Sequence, residues 1–246
     1  MALKEEFKKS GDWLFKWRSF LPLPLVAVLL VACRNIKYPY DSYALEILWE
    51  IFCLLISFLG LGIRIFTIGH VPLGTSGRNT RGQIANVLNT TGIYSIVRHP
   101  LYLGNLLIWL GISLFPRLWW FSLIIILIFW IYYERIMFAE EEFLQEQFGE
   151  SFSVWADKTP AFIPRFRNWT KPDLPFSLRN AIKREYTAFF AIIVTFTVLA
   201  LVAETSLHGK LGIDRFWIII FGIGLAIYLT IRILNKYTTL LNVEGR

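Results

Sequence analysis

The chain reads as an all-α polytopic membrane protein with about six transmembrane helices, and two observations predict that class. Of 246 residues, 55% are hydrophobic and only 17% are charged, and the mean hydropathy is +0.51. That is too apolar for an ordinary soluble domain. The apolar residues are also gathered into runs, at 20–33, 44–66, 101–115, 118–137, 186–203 and 215–234. Two of these runs fall short of the roughly 20 residues a span needs, a gap that tilt and snorkelling ends can close.

Taken in order, residues 4–18 precede the first span with Phe7, Trp13, Phe15 and Trp17 set among lysines. This pattern predicts an interfacial amphipathic anchor. No small-residue cleavage site follows the first apolar run, so no removable signal peptide is expected. After the second span, residues 69–89 hold four glycines, one proline, Arg78 and Arg81, the composition of a loop.

The loop leads into Gly92-Ile93-Tyr94-Ser95-Ile96-Val97-Arg98-His99-Pro100-Leu101-Tyr102-Leu103-Gly104. Two cations stand here at the edge of a span, where charge is costly and usually retained for function. Pro100 suits the first turn of a helix, because its missing N–H costs nothing there. Arg98 and His99 then flank a helix N-terminus, where free N–H groups and the positive dipole end favour an anion. Gly104 and Gly111 lie seven apart on one face and permit close approach of another helix. Pro116 marks a tight hairpin into the fourth span.

That span is expected to outrun the membrane, because helical spacing continues over 119–148 to a capping Gly149. Its glutamates sort by face. Glu142, Glu146 and Glu150 form an i, i+4, i+8 stripe that predicts a solvated face. Glu134 and Glu141 share a face with Met137, Leu144 and Phe148, and Glu140 lies beside it. Carboxylates on an apolar stripe at a helix C-terminal end need compensation. A bound cation or ligand hydroxyl pair would supply it, and so would a structural ion pair with Arg135 or a loop arginine. Pro160 and Pro164 around Ala161-Phe162-Ile163 predict an extended cover over a site. The last two spans read as a structural hairpin, which divides the chain into a core over 1–170 and a hairpin over 171–246.

Counting charge orients the chain. With six spans, 20 of the 25 Lys and Arg fall on one side, which places both termini, both large loops and the 92–104 run in the cytosol. The net charge of +7 is explained by this topology and by anionic headgroups, with no nucleic acid as partner. Cys33 and Cys53 lie in apolar runs without ligand spacing, so packing is expected and neither a disulfide nor a metal site. His70 and His208 read as loop residues. The acceptor patterns at Asn89 and Asn168 fall on the cytosolic side and are discounted as glycosylation sites.

In order and spacing, Arg98-His99-Pro100-Leu101-Tyr102-Leu103-Gly104, Glu140-Glu141 with Leu144, Phe148-Gly149 with Phe152 and Trp155, and Pro160 with Pro164 make a combined pattern. It resembles the isoprenylcysteine carboxyl methyltransferase and phospholipid methyltransferase superfamily. Roughly residues 90–165 carry the resemblance. The chain looks most like the bacterial branch that includes lipid A phosphate methyltransferases. Phe152 and Trp155 stand where the family commonly has tyrosines, and the last two spans lie outside the shared core.

The resemblance implies an integral-membrane enzyme, in a bacterial inner membrane, using S-adenosylmethionine. Arg98, His99 and the Pro100 helix start would hold the cofactor carboxylate, and Glu140 and Glu141 its ribose hydroxyls or ammonium. Tyr94, Tyr102 and later aromatics would face the sulfonium, a cation that rings attract. Residues 159–164, with Pro160 and Pro164, would close over the adenine, and Leu103 and Gly104 would bring backbone close. Arg98 and Arg135 are the cations assigned to catalysis, and Arg78 and Arg81 those assigned to substrate. An acidic acceptor is already ionised at neutral pH and needs a positioning cation rather than a base. The arginine-rich loops therefore favour an acid oxygen of a membrane lipid or lipidated substrate. A lipid phosphate comes first, a prenylcysteine carboxylate second and a phospholipid amine third. A sterol-reductase-like enzyme using NADPH and a non-enzymatic membrane scaffold are the readings from other classes.

Overall fold

In a computed structural model of the chain, the structure describes residues 3–17, 22–32, 42–75 and 83–246. Among these residues the regular elements are all helical: α1 (Leu3–Trp17), α2 (Pro22–Ala32), α3 (Tyr43–Gly69), α4 (Pro100–Leu114), α5 (Trp119–Phe148), α6 (Glu150–Lys158), α7 (Leu178–His208) and α8 (Arg215–Tyr237). A lone bridge joins Gly92 to Thr170. The protein is an all-α polytopic membrane protein. α3, α5, α7 and α8 are long and apolar enough to cross a bilayer, and α4 is a shorter apolar helix of 15 residues.

Local chemistry explains the boundaries. The Ser42 and Ser177 side chains cap α3 and α7 by accepting from Leu45 and Asn180 N–H, which satisfies an orphan donor in each first turn. Pro100 opens α4. Gly149, at a φ of +55°, ends α5 after 30 residues, as the sequence predicts. α7 starts about two turns before the predicted span, because Lys183-Arg184-Glu185 interrupts the apolar run without interrupting the helix.

α3 and α4 pack closely through glycine. A Cβ on Gly60 would stand 2.4 Å from the Gly104 carbonyl oxygen, and one on Gly111 2.4 Å from that of Cys53. Gly104 and Gly111 thus play the packing role expected of them. α7 packs on α3, and α8 on α7. Cys53 is buried in the core between these helices with Leu61, Phe196 and Trp217, and Cys33 lies outside the described residues.

α1 does more than anchor. Trp13 and Trp17 stay 54% and 49% exposed, but the helix also clamps α5. Lys4 pairs with Glu142 at 2.9 Å and Lys8 with Glu146 at 2.5 Å. The stripe expected to face solvent is therefore partly covered by α1. Glu134, placed by spacing on the face of Glu141, is exposed.

At the far end of the bundle a second polar cluster ties α3 to the rest. Arg117 takes a left-handed φ of 57° after Pro116, which turns its guanidinium back to Glu46. The Trp217 indole N–H donates to Glu50 at 2.7 Å, and the Tyr43 hydroxyl to Asp214.

Candidate functional site

The site is built on the backbone of residues 92–99. Gly92 sits at a φ of +60°, which glycine adopts without strain, and starts a short turn over 93–95. The segment is then laced to the chain after α6. Arg98 N–H donates to Pro160 O at 2.9 Å, His99 N–H to Ala161 O at 3.2 Å, and Arg165 N–H to Ile96 O at 2.9 Å. Trp155 adds a bond from its indole N–H to Tyr94 O at 3.0 Å. Prolines 160 and 164 keep this stretch out of a helix, leaving its carbonyls to accept from the motif. The predicted cover is thus paired with the motif itself, and its central Phe162 packs against Phe129 and Trp130 at 6.4 and 5.4 Å between ring centres.

The end of α5 brings in the carboxylates. Glu141 takes both cations: Arg98 Nη1 donates at 2.9 Å, and His99 Nε2 lies 2.8 Å from the other oxygen. His99 Nδ1 stands 3.4 Å from Glu140. The His99 side chain is only 5% exposed and stacks on Tyr102 at 5.7 Å. Burial alone would lower the pKa of this imidazole. The hydrogen bonds to Glu140 and Glu141, and their charge, outweigh burial and hold it above the ordinary histidine value. The carboxylates that the sequence left between a ligand and an ion pair are therefore compensated by Arg98 and His99. Arg135 points to α1, with Nη1 donating to Ser10 at 3.0 Å and its guanidinium 4.9 Å from the Phe7 ring.

These groups form one wall of a cavity of about 790 Å³, within the ~300–1,000 Å³ typical of small-molecule sites. Of the expected site residues, Tyr94, Arg98, His99, Tyr102 and Glu140 line it, joined by Phe143 and Trp155. Glu141 stands behind them as the brace of Arg98 and His99. Leu103, Gly104, Pro160 and Pro164 lie outside the lining: Leu103 packs against the cluster of Phe15 and Tyr133, and Gly104 faces Arg64 and Gly60 on α3. Arg78 and Arg81 lie outside the described residues.

The floor of the cavity was not anticipated. Arg64 on α3 holds Glu185 on α7 through two bonds of 2.8 Å and donates to Asn105 on α4 at 2.7 Å. Asn105 donates to the Tyr133 hydroxyl on α5 at 3.0 Å. Four helices thus meet in one polar chain, and all four side chains line the cavity. The available signal was a lone arginine inside an apolar span and a glutamate in the charged triplet at the head of another. Intramembrane charge of that kind marks function by default, but one charge within a run does not identify its partner. His70 is structural, its Nδ1 2.9 Å from Leu174 O.

Part of the chain is similar to known proteins. Residues 48–151 match the phospholipid methyltransferase family. The cobalt-zinc-cadmium resistance protein CzcN of Cupriavidus metallidurans is 37% identical over 107 residues, 43% of this chain and 47% of its own length. The nickel-cobalt-cadmium resistance protein NccN of Alcaligenes xylosoxydans xylosoxydans is 35% identical, with 43% and 47% covered. The protein-S-isoprenylcysteine O-methyltransferase of Schizosaccharomyces pombe is 30% identical over 112 residues, 44% of this chain and 48% of its own length. The chain therefore spans about half the length of the curated relatives it matches. No solved structure gives a significant match. The matches support the resemblance to the phospholipid and isoprenylcysteine methyltransferase superfamily and do not reach its lipid A branch.

Proposed function

With residues 48–151 carrying the phospholipid methyltransferase signature as premise, we propose that this protein is an S-adenosylmethionine-dependent integral membrane methyltransferase. It O-methylates an acidic group of a membrane lipid, best a lipid phosphate such as that of lipid A. One observation carries the reading: Arg98, His99 and Glu140 converge on a single wall of a large cavity, and Arg98 Nε is buried there with no partner among the described residues. Such an atom costs about 1–3 kcal/mol until an acceptor reaches it.

The residues suit the cofactor. Arg98 presents a donor for a carboxylate, Glu140 an acceptor for an ammonium or a ribose diol, and Tyr94, Tyr102, Phe143 and Trp155 offer rings to a sulfonium. When bound, S-adenosylmethionine supplies an electrophilic methyl, which passes to an acid oxygen as the S–CH₃ bond breaks and sulfur keeps the electron pair. The protein's contribution is placement. Alignment of nucleophile and methyl in a near-attack geometry is worth on the order of 7–11 kcal/mol. Glu141 and the proline-bounded segment hold Arg98 and His99 in place.

A prenylcysteine carboxylate is the second acceptor, favoured by the fission-yeast relative, and a phospholipid amine the third. The site faces the cytosol, with both termini on that side, because the Lys and Arg bias follows it. Calorimetry with S-adenosylhomocysteine and with NADPH on the purified protein tests the reading. Binding of the first is expected, and binding of NADPH alone would sink it. Lipid mass spectrometry of cells with and without the protein should show a 14 Da loss on the acceptor.

A further inference from the structure

A second space lies along the seam between α1 and α5. It is an open groove of about 420 Å³ and shares no lining residue with the large cavity. Ser10, Trp13 and Leu14 line it from α1, spaced i, i+3 and i+4. Ile128, Ile131, Tyr132 and Arg135 line it from α5, spaced i, i+3, i+4 and i+7. Each set is one face of its helix. The helices meet closely along this seam. A Cβ on Gly11 would stand 2.1 Å from the Arg135 carbonyl oxygen, and the Tyr132 hydroxyl donates to Leu14 O at 3.3 Å.

The groove has the polarity of a lipid. Its polar end, Ser10 and Arg135, lies toward the Glu140–Glu141 end of α5. About 10 Å back along the helix, Ile128 lies toward the middle of the span. Ile128 and Ile131 stay exposed on a helix apolar enough to cross a bilayer, and Trp13 is exposed beside them on α1. Arg135 is the one charge among the lining residues. Its contacts, the Ser10 hydroxyl at 3.0 Å and the Phe7 ring at 4.9 Å, are both uncharged. No carboxylate pairs with it among the described residues. A guanidinium has donors to spare after one bond, and a charge beside hydrocarbon calls for a counterion. The anion that a membrane itself supplies there is a lipid phosphate.

We infer that this groove binds a phospholipid of net negative charge: Arg135 and Ser10 hold its phosphate, and Trp13, Ile128 and Ile131 receive an acyl chain. The inference stands apart from the methyltransferase reading, because this lipid is a bound component rather than an acceptor. Its place on both helices clamps α1 to α5. Phe15 of α1 lines the large cavity, so the clamp steadies one of the cavity's walls.

Photocrosslinking of the full chain in phosphatidylcholine nanodiscs tests this. The probe is phosphatidylglycerol with a diazirine in its acyl chain, and phosphatidylcholine with the same chain is the zwitterionic control. Adducts are mapped by peptide mass spectrometry. Phosphatidylglycerol should label residues 128–132 about tenfold more than phosphatidylcholine, the size of one charge-assisted hydrogen bond. Arg135→Gln should bring the two probes level, and Arg135→Lys should keep most of the preference. Ile131→Trp, at an exposed position, should reduce labelling by filling the groove. Ile218, Ile219 and Ile223 are exposed on α8, which packs on α7, and should take both probes equally in every variant that inserts and folds. Equal labelling of 128–132 by the two probes in wild type overturns the inference, and so does a preference that survives Arg135→Gln or Ile131→Trp. A wild type that is dimeric and unlabelled at 128–132 also overturns it, and gives the groove to a second copy of the chain.

Discussion

The bundle carries a charged cluster at each end, and the two are built from similar parts. At one end Arg98 and His99 meet Glu140 and Glu141. At the other Arg117 meets Glu46, with Glu50 held by Trp217 and Asp214 by Tyr43. The first cluster borders a cavity of about 790 Å³, whereas the second surrounds only about 20 Å³, room for little more than one water. Charge at a membrane edge is therefore not enough to mark a site. The far cluster fastens helices, and the near one fastens side chains around a space.

The sharpest way to break this comparison is through the floor that bounds the space. Arg64→Ala should cost about 3–5 kcal/mol, because it strips the buried Glu185 of its two-bond partner. Glu185 is 2% exposed, so thermal unfolding in detergent should show a large fall in Tm. Replacing both partners, as Arg64→Met with Glu185→Leu, should recover most of it. Next, His99→Ala and Glu141→Ala should each abolish measurable S-adenosylhomocysteine binding while the protein still folds, read by calorimetry and circular dichroism. Glu50→Gln, in the far cluster, keeps an acceptor for Trp217. It should leave that affinity within about twofold and cost about 1 kcal/mol of stability.

A pH titration sharpens the same contrast. The folded pKa of His99 is raised by Glu140 and Glu141 after burial has lowered it. Its contribution is therefore fully present below the unfolded value of about 6.5 and is lost as pH rises through the folded value. Stability of wild type should decline over that window relative to His99→Gln, measured by thermal unfolding across pH. A parallel pH dependence in both proteins would show that the imidazolium is not held. The smallest effect belongs to Glu146→Ala. Its pair with Lys8 is exposed and weakened by solvent, so cofactor affinity should not move.

The near cluster was legible in the sequence because its signals are local. Arg98, His99 and Pro100 are consecutive, and Glu140 and Glu141 adjoin on one helix. Helix periodicity also carried α5 correctly past the membrane to Gly149. The floor was not legible, because Arg64, Asn105, Tyr133 and Glu185 come from four helices and share no spacing. Glu185 also hid the true start of α7, since a charged triplet reads as the end of an apolar run when its partner on α3 is unseen. Arg135 shows the reverse relation. Its position near the glutamates along α5 suggested a role beside them, but rotation around the helix turns it to Ser10 and Phe7 on α1.

The bonds from Arg98 and His99 to Pro160 and Ala161 also set an order of assembly. The motif's two backbone donors wait for carbonyls about sixty residues downstream. While the chain is being made, α3 and α4 are complete well before those carbonyls have been synthesised. A chain truncated before residue 160 would keep α3 to α5 and both halves of the ion cluster, but not the backbone brace that fixes them. The braced form of the motif is therefore completed only when the segment beyond α6 has been made and docks.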